Sequence, residues 1–335
     1  MPEPNIGDRI DQYRLTRLLA RTGMASIFEA FDGEAGLLVV LKIPNLTKEG
    51  EMIGLARFQR EEGIGRRLQH PGIAKVFEPR HKSRPYIAME YVEGRTLRAL
   101  LEAQTRLPPQ RALAIAVKVC EVLVFLHENG VVHRDLKPEN VVLGAGGQPK
   151  LLDFGIALDR KARRLTWVSL PAMFGTPDYV APEQIAGRRG DARTDIYALG
   201  TILFEMLTGH LPFSGESAAL LMYSKANHAP ARPGILAHGI VPAVERIVLK
   251  AIESRPRKRY QSARELLQDL RDPAGSQAPE PESPSSQLST GRAAANRILT
   301  RLVIAGVLAG LGSLVWLSSR SQAERLPPPV VQLRR

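Results

Sequence analysis

The hydrophobic pattern of the chain changes its period once, and this change limits the possible fold more than any other feature. Up to Tyr91 the pattern consists mainly of short β-branched or apolar runs between Gly and Asp turn signals, which predict strands. From Pro109 onward it consists of longer patterns with helical period. The predicted strands are Tyr13–Leu19, Ser26–Phe31, Leu37–Ile43, Ile73–Phe77 and Tyr86–Tyr91, with a helix at Leu55–Leu68 among them, and the later helices are Pro109–His127, Arg193–Thr208, Pro242–Ile252 and Ala263–Arg271. The sequence therefore predicts an α+β fold in which a small sheet-rich lobe is followed by a larger helical lobe.

The densest group of chemically active side chains lies between residues 133 and 155. The run His133–Asn140 reads HRDLKPEN, and Asp153 opens a DFG motif thirteen residues after Asn140. Phosphoryl transfer needs an oriented hydroxyl, metal ions across the phosphates, and cations where negative charge builds. Asp135 can orient a hydroxyl, Lys137 can reach the transferring phosphate, and Asn140 and Asp153 offer oxygen ligands that suit Mg²⁺.

In this order and spacing the two motifs resemble those of protein kinases, in the bacterial Hanks-type (eukaryotic-like) serine/threonine branch of the family. The resemblance extends from about Tyr13 to Leu270. It implies a two-lobed protein-kinase fold over residues 13–271, with an N-lobe at 13–89, a hinge at 90–94 and a C-lobe at 95–271, after an N-terminal tail at 1–12. It also implies ATP and Mg²⁺ as cofactors and proteins with Ser or Thr as substrates, the chain's own activation loop included. Lys137, at a position where tyrosine kinases typically carry alanine, and Thr176, in the substrate-binding loop, favour serine and threonine as acceptors.

The resemblance also assigns the nucleotide site. Lys42, at the end of the VVLK run, corresponds to the lysine that contacts the α- and β-phosphates, and Glu61 corresponds to the helix glutamate that pairs with it. Asn140 and Asp153 are the implied metal ligands, and Met89 stands at the gatekeeper position. The remaining predicted contacts to the nucleotide are Leu19, Gly23, Met24, Ile27 and Val40 from the N-lobe, and Glu90 and Val92 through their backbone.

Several further positions match the family pattern in structural or regulatory roles. Glu183 is expected to form a buried ion pair with Arg259, and Asp195 to brace the catalytic loop. Arg134 can bind a phosphate placed on Thr166 or Ser169 between the two ends of the activation segment. The alternative is that this basic loop is simply solvated.

The loop that covers the phosphates departs from the family pattern Gly-x-Gly-x-x-Gly. Ala20, Thr22 and Ala25 stand at the three glycine positions, although Gly23 and Met24 match a Gly-Met pair common in bacterial members. This departure leaves two alternatives open. The chain could be a pseudokinase that acts as an ATP-binding scaffold tethered to the membrane, or a structural membrane anchor in which the motifs are remnants. Lys42, Asp135 and Asp153 are all present, which favours an active enzyme.

A change of composition at Asp272 marks the end of the predicted kinase domain. Residues 272–297 are rich in Pro, Ser and small residues without a hydrophobic face, which predicts a flexible linker. Residues 298–319, uncharged from Leu302 onward, provide about the twenty residues that a transmembrane helix needs, and a short tail follows at 320–335. The alternative is a buried helix of a soluble domain. The segment Met1–Arg21 contains no apolar run typical of a signal peptide. We therefore expect a single-pass protein of the bacterial inner (cytoplasmic) membrane, with its kinase domain facing the cytoplasm.

Two further features concern partners. Gly306 and Gly310 form a small-xxx-small pattern that lets two membrane helices approach closely, which suggests a homodimer. The net charge of +12 is spread along the chain without a zinc module or a recognisable RNA-binding sequence, which argues against nucleic acid as a partner. The single cysteine, Cys120, lies in an apolar stretch and fits a buried residue in a reducing compartment.

We predict weaker ATP binding than in relatives with an intact glycine-rich loop. Glycine allows backbone amides to approach phosphates closely, whereas Thr22 adds a β-branched side chain and Val40 narrows the adenine pocket. Isothermal calorimetry of the full chain with ATP and Mg²⁺ checks this, beside a relative whose loop is intact. Equal affinities would contradict the prediction.

Overall fold

The computed structural model describes residues 3–23, 25–45, 51–153, 158–159 and 177–276. Within these ranges an N-terminal lobe built around an antiparallel sheet is followed by a helical C-terminal lobe, so the predicted two-lobed α+β fold is confirmed. The strands are β1 (Arg9–Ile10), β2 (Tyr13–Arg21), β3 (Ala25–Asp32), β4 (Leu37–Pro44), β5 (Val76–Phe77), β6 (Ile87–Glu90), β7 (Arg95–Thr96), β8 (Val131–Val132), β9 (Val141–Leu143), β10 (Pro149–Leu151) and β11 (Leu158–Asp159). The helices are α1 (Glu51–Arg67), α2 (Leu97–Gln104), α3 (Pro109–Glu128), α4 (Pro182–Ile185), α5 (Ala192–Thr208), α6 (Ala218–Asn227), α7 (Pro233–Leu236), α8 (Pro242–Ala251) and α9 (Ala263–Arg271).

The N-terminal sheet has the order β1-β2-β3-β4-β6-β5, and alternation along β4 determines which of its side chains meet the core. From Val39 onward, every second residue of β4 is buried in the core of the lobe, namely Val39, Leu41 and Ile43. Successive side chains of a strand point to opposite faces, so Val40 and Lys42 lie on the other face. That face meets α1, because Phe58 packs in a second cluster with Met89 and Val40.

Helix α1 is tightly fitted but intrinsically weak. Gly63 and Gly65 lie near its end, and each costs a helix about 1 kcal/mol relative to alanine. A Cβ atom at Gly65 would lie 2.4 Å from Cγ2 of Val76 on β5, whereas nothing lies within 4 Å of a Cβ atom at Gly63. The missing side chain at Gly65 therefore lets the helix approach the sheet closely.

Helix α5 forms the centre of the C-terminal lobe. All its residues from Thr194 to Thr208 are buried, which is typical of a helix surrounded by other elements. Helices α3, α8 and α9 pack around it. The helix ends at Gly209, whose φ of 75° is the left-handed conformation that favours glycine, and whose amide donates to the carbonyl of Glu205 at 2.8 Å.

The observed elements differ from the predicted ones in a few places. The predicted strand Ile73–Phe77 is regular only at Val76–Phe77, while Ile73 forms an isolated bridge with Leu151. Helices α2 and α6 were not predicted. Helix α2 is short and begins at a side-chain cap, in which Thr96 accepts from the amide of Ala99. Helix α6 has a weak hydrophobic period because one of its two buried positions is a lysine, Lys225.

Several sequence predictions lie outside the described residues. No helix within the described ranges is long and apolar enough to cross a bilayer. The predicted transmembrane segment 298–319, the tail at 320–335 and the linker from residue 277 onward lie beyond those ranges. Met24, Thr166, Ser169 and Thr176 are also outside them.

The predicted pair of Glu183 and Arg259 is confirmed and connects α4 to the body of the lobe. The two carboxylate oxygens accept from the two guanidinium nitrogens at 2.8 and 2.7 Å, and the Arg259 side chain is fully buried. The same guanidinium group donates to the carbonyls of Glu253, Ser254 and Arg193.

Replacing Arg259 by methionine is expected to lower the free energy of unfolding by about 3–5 kcal/mol, because it leaves a buried carboxylate without its partner. Urea denaturation of the full chain measures this. The matched control is Arg271→Met, which removes the exposed ion pair with Glu121 and should cost about 1 kcal/mol or less. Equal losses for the two variants would contradict the assignment.

Candidate active site

A β-hairpin brings the two predicted metal ligands together. Strands β9 and β10 pair antiparallel with Val141 opposite Leu151, so the residues just outside the hairpin are neighbours. The amide of Leu152 donates to the carbonyl of Asn140 at 2.9 Å, and Asp153 is the next residue. The spacing between Asn140 and Asp153 in the sequence is therefore the length of this hairpin.

The catalytic loop that precedes the hairpin is held by Asp195, as predicted. Its carboxylate, fully buried in the first turn of α5, accepts from the amides of His133 at 2.8 Å and Arg134 at 2.7 Å. One of its oxygens also lies 2.8 Å from Nε2 of His127, which the sequence did not single out. Arg134 has a φ of 68°, a conformation that costs free energy for a residue with a side chain. The hydrogen bonds that the two amides donate to Asp195 therefore hold the loop in this strained conformation.

Asp135, Lys137 and Asn140 converge at the mouth of this loop. The Lys137 ammonium lies 2.9 Å from Oδ2 of Asp135, and the Asn140 amide nitrogen donates to the Asp135 carbonyl at 2.8 Å and to Oδ2 at 3.2 Å. The side chain of Asp135 is 31% exposed, so a substrate can reach it. Because the amide nitrogen of Asn140 is committed to Asp135, its oxygen is the atom that can bind a cation.

Lys42 lies between two carboxylates, on the face of β4 opposite the core. Its ammonium lies 2.6 Å from Oε1 of Glu61 and 2.8 Å from Oδ1 of Asp153, so the predicted pair with Glu61 is formed. Burial by itself would lower the pKa of Lys42, but the charges of Asp153 and Glu61 outweigh it and raise the pKa. Burial, and then the charge of Asp153, raise the pKa of Glu61 to about 8, although Lys42 opposes this. The Lys42 ammonium thus stays charged in its buried position.

The turn at the glycine positions is closed by side chains. The Thr22 hydroxyl accepts from the amide of Ala25 at 3.0 Å, and the Thr22 amide donates to the Ala25 carbonyl at 2.9 Å. Asn45, three residues beyond Lys42, donates to the Thr22 carbonyl at 2.8 Å and accepts from the Ser26 hydroxyl at 3.1 Å. Residues other than glycine therefore give this turn a defined shape and attach it to the end of β4.

The residues of the N-terminal lobe that were predicted to contact the nucleotide lie on β2, β3 and β4 and in the turn between β2 and β3. Ile27 pairs with Lys42 across β3 and β4 and shares its face of the sheet, while Val40 pairs with Met89 across β4 and β6. Leu19 is 39% exposed at an irregularity of β2, and Gly23 lies in the turn described above. Ile27, Val40 and Lys42 are thus brought together on one face.

The hinge lies against the hairpin of the C-terminal lobe. The amide of Glu90 donates to the Lys75 carbonyl at 2.8 Å, and its carboxylate lies 2.5 Å from the Lys150 ammonium. Gly94 has a φ of 156°, and a Cβ atom there would lie 2.1 Å from the carbonyl oxygen of Leu143. Only glycine allows the hinge to cross β9 this closely.

Sequence reasoning predicted the pair of Glu183 and Arg259 but missed the other residues that hold the end of the activation segment. The buried Tyr179 hydroxyl donates to Glu205 at 2.5 Å, and Arg98 bonds to Tyr179 and, at 2.8 Å, to Glu205. Gln184 accepts from the Ala181 amide at 3.1 Å and donates to the Arg134 carbonyl at 3.0 Å, which connects the segment to the catalytic loop. Gln184 adjoins the matched APE motif, but nothing in the sequence indicates its contact.

The chain matches the model of the protein kinase domain over residues 13–270. It therefore belongs to the protein kinase family, and the family predicted from the sequence is confirmed. Similar proteins include a probable serine/threonine-protein kinase of Streptomyces coelicolor, 38% identical over 276 residues, which are 81% of this chain and 41% of that protein. The serine/threonine-protein kinase PknB of Mycobacterium leprae is 36% identical over 283 residues, which are 83% of this chain and 45% of that protein. PknB of Mycobacterium tuberculosis is 35% identical over 265 residues, or 78% and 42% respectively. The matched region thus spans less than half the length of each of these relatives.

Proposed function

We propose that this chain is an ATP-dependent serine/threonine protein kinase that transfers the γ-phosphate of ATP to protein hydroxyls. The observation that carries the proposal is the ammonium of Lys42 held at 2.6 Å from Glu61 and 2.8 Å from Asp153, on the same cleft as Asp135. Relatives named as serine/threonine kinases support the choice of acceptor. The relatives are longer than the matched region, so the substrates are also a proposal.

Each residue has a role that its contacts support. Lys42, positioned by Glu61, binds the α- and β-phosphates, and Asp135 orients the incoming hydroxyl and accepts its proton. Lys137, 2.9 Å from Asp135, compensates negative charge on the transferring phosphate. Leu19, Ile27 and Val40 line the adenine side of the cleft. Met24 and Gly23 would cover the phosphates, and the backbone of Glu90 and Val92 would bond the adenine.

Asn140 and Asp153 would hold Mg²⁺. Among the described residues no group of three or more His, Cys, Asp or Glu side chains could hold a metal. The donor set fits magnesium nevertheless, because this ion typically takes one or two protein oxygens and completes its shell with water and substrate phosphates. When bound, the metal neutralises charge on the phosphates.

The pseudokinase scaffold is the less favoured alternative. A scaffold does not need an aspartate oriented toward the acceptor or a lysine beside it, yet Asp135, Lys137 and Asn140 form one bonded group. The turn at Thr22 differs from the family pattern, but its hydrogen bonds give it a defined shape. These contacts support turnover with weak nucleotide binding rather than binding alone.

Incubating the full chain with γ-labelled ATP, Mg²⁺ and an array of peptides centred on Ser or Thr is expected to label those peptides and the chain's own activation loop. Asp135→Asn should reduce transfer by about a thousandfold or more, since it removes the group that orients the hydroxyl. ATP binding by the variant, measured by calorimetry, should stay close to wild type. Bound nucleotide with equally silent wild type and variant would favour the scaffold.

We also propose that residues 298–319 anchor the domain to the inner face of the bacterial cytoplasmic membrane, with the linker of residues 272–297 giving it reach. The apolar composition of the segment supports this, and Gly306 and Gly310 support association of two such helices. Tethering in a plane raises effective concentration and favours phosphorylation between neighbouring copies.

The full chain is expected to float with phospholipid vesicles, whereas a chain ending at residue 297 should remain in the soluble fraction. Gly306→Ile should reduce self-association in the vesicles, measured by energy transfer between labelled chains, because its side chain keeps the helices apart. Gly312→Ile, which adds the same side chain outside the Gly306 and Gly310 pattern, is the control for bulk. Flotation of both chains would contradict the anchor, and unchanged energy transfer would contradict the dimer.

A further inference from the structure

Lys225 is a buried cation that the mechanism above does not use. It lies on α6 with 1% of its surface exposed, and it is among the largest fully buried side chains of the described residues. Burial lowers the pKa of Lys225 to about 7, against the opposing charge of Asp178. An ammonium group taken out of water costs free energy unless its protons find acceptors. The position therefore needs compensating contacts.

Those contacts lead to the end of the activation segment. The ammonium donates to the carbonyl of Asp178 and, at 3.0 Å, to the carbonyl of Val180. It also lies 5.4 Å from the ring centre of Tyr197 on α5, within the range of a cation–π contact. One side chain thus binds two backbone carbonyls in a stretch of three residues.

Residues 178–180 connect the substrate-binding loop to the APE motif, two regions that the sequence pattern identifies. Asp178 follows by two residues Thr176, which stands at the threonine position of the substrate-binding loop. Val180 precedes Ala181–Glu183, which Gln184 and Arg259 attach to the catalytic loop and to the body of the lobe. Tyr179 is attached to α5 through Glu205. The Tyr179 side chain therefore bonds to α5, whereas the backbone carbonyls on either side of it bond to Lys225 on α6.

We propose that Lys225 is a positioning residue for the protein substrate, which it serves by holding the backbone of Asp178 and Val180 in the shape that receives a Ser- or Thr-containing segment. This proposal rests on the kinase function proposed above. Carbonyls that Lys225 binds are fixed in direction, so the backbone between the substrate-binding loop and α4 cannot rotate freely. The contacts of Lys225 described above lead to residues 178–180 and to Tyr197 on α5, whereas Lys42 contacts Glu61 and Asp153.

Lys225→Met tests the proposal, since it keeps most of the side-chain volume and removes the donor. The matched control is Lys250→Met, which removes a lysine stacked 4.0 Å from the ring centre of Tyr260 on another face of the same lobe. Full chains are compared by steady-state kinetics with one Thr-centred peptide chosen with wild type from an array. Amide hydrogen exchange is followed in parallel over residues 177–184.

Lys225→Met is expected to raise KM for the peptide about tenfold, as for loss of a hydrogen bond to a charged group, while KM for ATP stays within about twofold. Exchange over residues 177–184 should become faster, and exchange in α3 and α8 should not change. Lys250→Met should behave as wild type. Unchanged peptide KM and unchanged exchange would overturn the proposal. Equal rises in both KM values, with faster exchange throughout the lobe, would also overturn it and indicate a merely structural lysine.

A second variant covers failure of Lys225→Met to fold. Lys225→Arg retains a charged group that can donate to two carbonyls, and it is expected to keep slow exchange over residues 177–184 and a peptide KM nearer to wild type. Fast exchange in a folded Lys225→Arg variant would count against the proposal. If the wild-type chain labels no peptide, the proposed kinase function fails by itself, and Lys225 as a residue that positions substrate fails with it. The exchange data then still report whether Lys225 orders this stretch.

Discussion

The carboxylate of Asp195 lies fully buried inside the C-terminal lobe and determines the backbone of the catalytic loop. Burial by itself would raise the pKa of Asp195, but the bond and charge of His127 and the amide of Arg134 outweigh it and lower the pKa, so the group stays charged. Its place in the first turn of α5 adds the favourable field of a helix N-terminus. Because Arg134 keeps its positive φ against a cost in free energy, the directions of Asp135 and Lys137 depend on this one charge.

Around this loop the cleft is assembled from elements of both lobes. The hairpin of β9 and β10 brings Asn140 and Asp153 together just beyond its two ends, and α5 is buried along almost its whole length. Lys42 lies on a strand of the other lobe and reaches Asp153 across the cleft at 2.8 Å. The position of the Lys42 ammonium therefore depends both on α1, through Glu61, and on the C-terminal lobe, through Asp153.

A site residue could be predicted from the sequence where it belongs to a motif of fixed spacing, and a helix where its hydrophobic period is clear. Lys42, Glu61, Asp135, Asn140 and Asp153 stand in motifs whose spacing is tied to the lengths of strands and of one hairpin, so their meeting was predictable. The helices with a clear amphipathic period were predictable from it, as Ala263–Arg271 illustrates. Gln184 and Lys225 were not, because a glutamine or lysine in an amphipathic stretch looks like a surface residue. Lys225 is buried against the carbonyls of Asp178 and Val180, and Gln184 against that of Arg134, and these tertiary contacts are not encoded in the local pattern.

Helix α1 couples two equilibria through its glycines. Replacing glycine by alanine commonly stabilises a helix. The space around Gly63 allows this substitution, whereas at Gly65 the added methyl group would displace Val76. With low intrinsic helicity, α1 depends on the packing of Phe58 and on the ion pair of Glu61 to stay in place. Folding of the helix and closure of the ion pair are thus thermodynamically linked. Any interaction that draws Lys42 and Glu61 together therefore also stabilises the helix. Conversely, a molecule that binds the outer surface of α1 and stabilises it would favour the ion pair without touching Lys42.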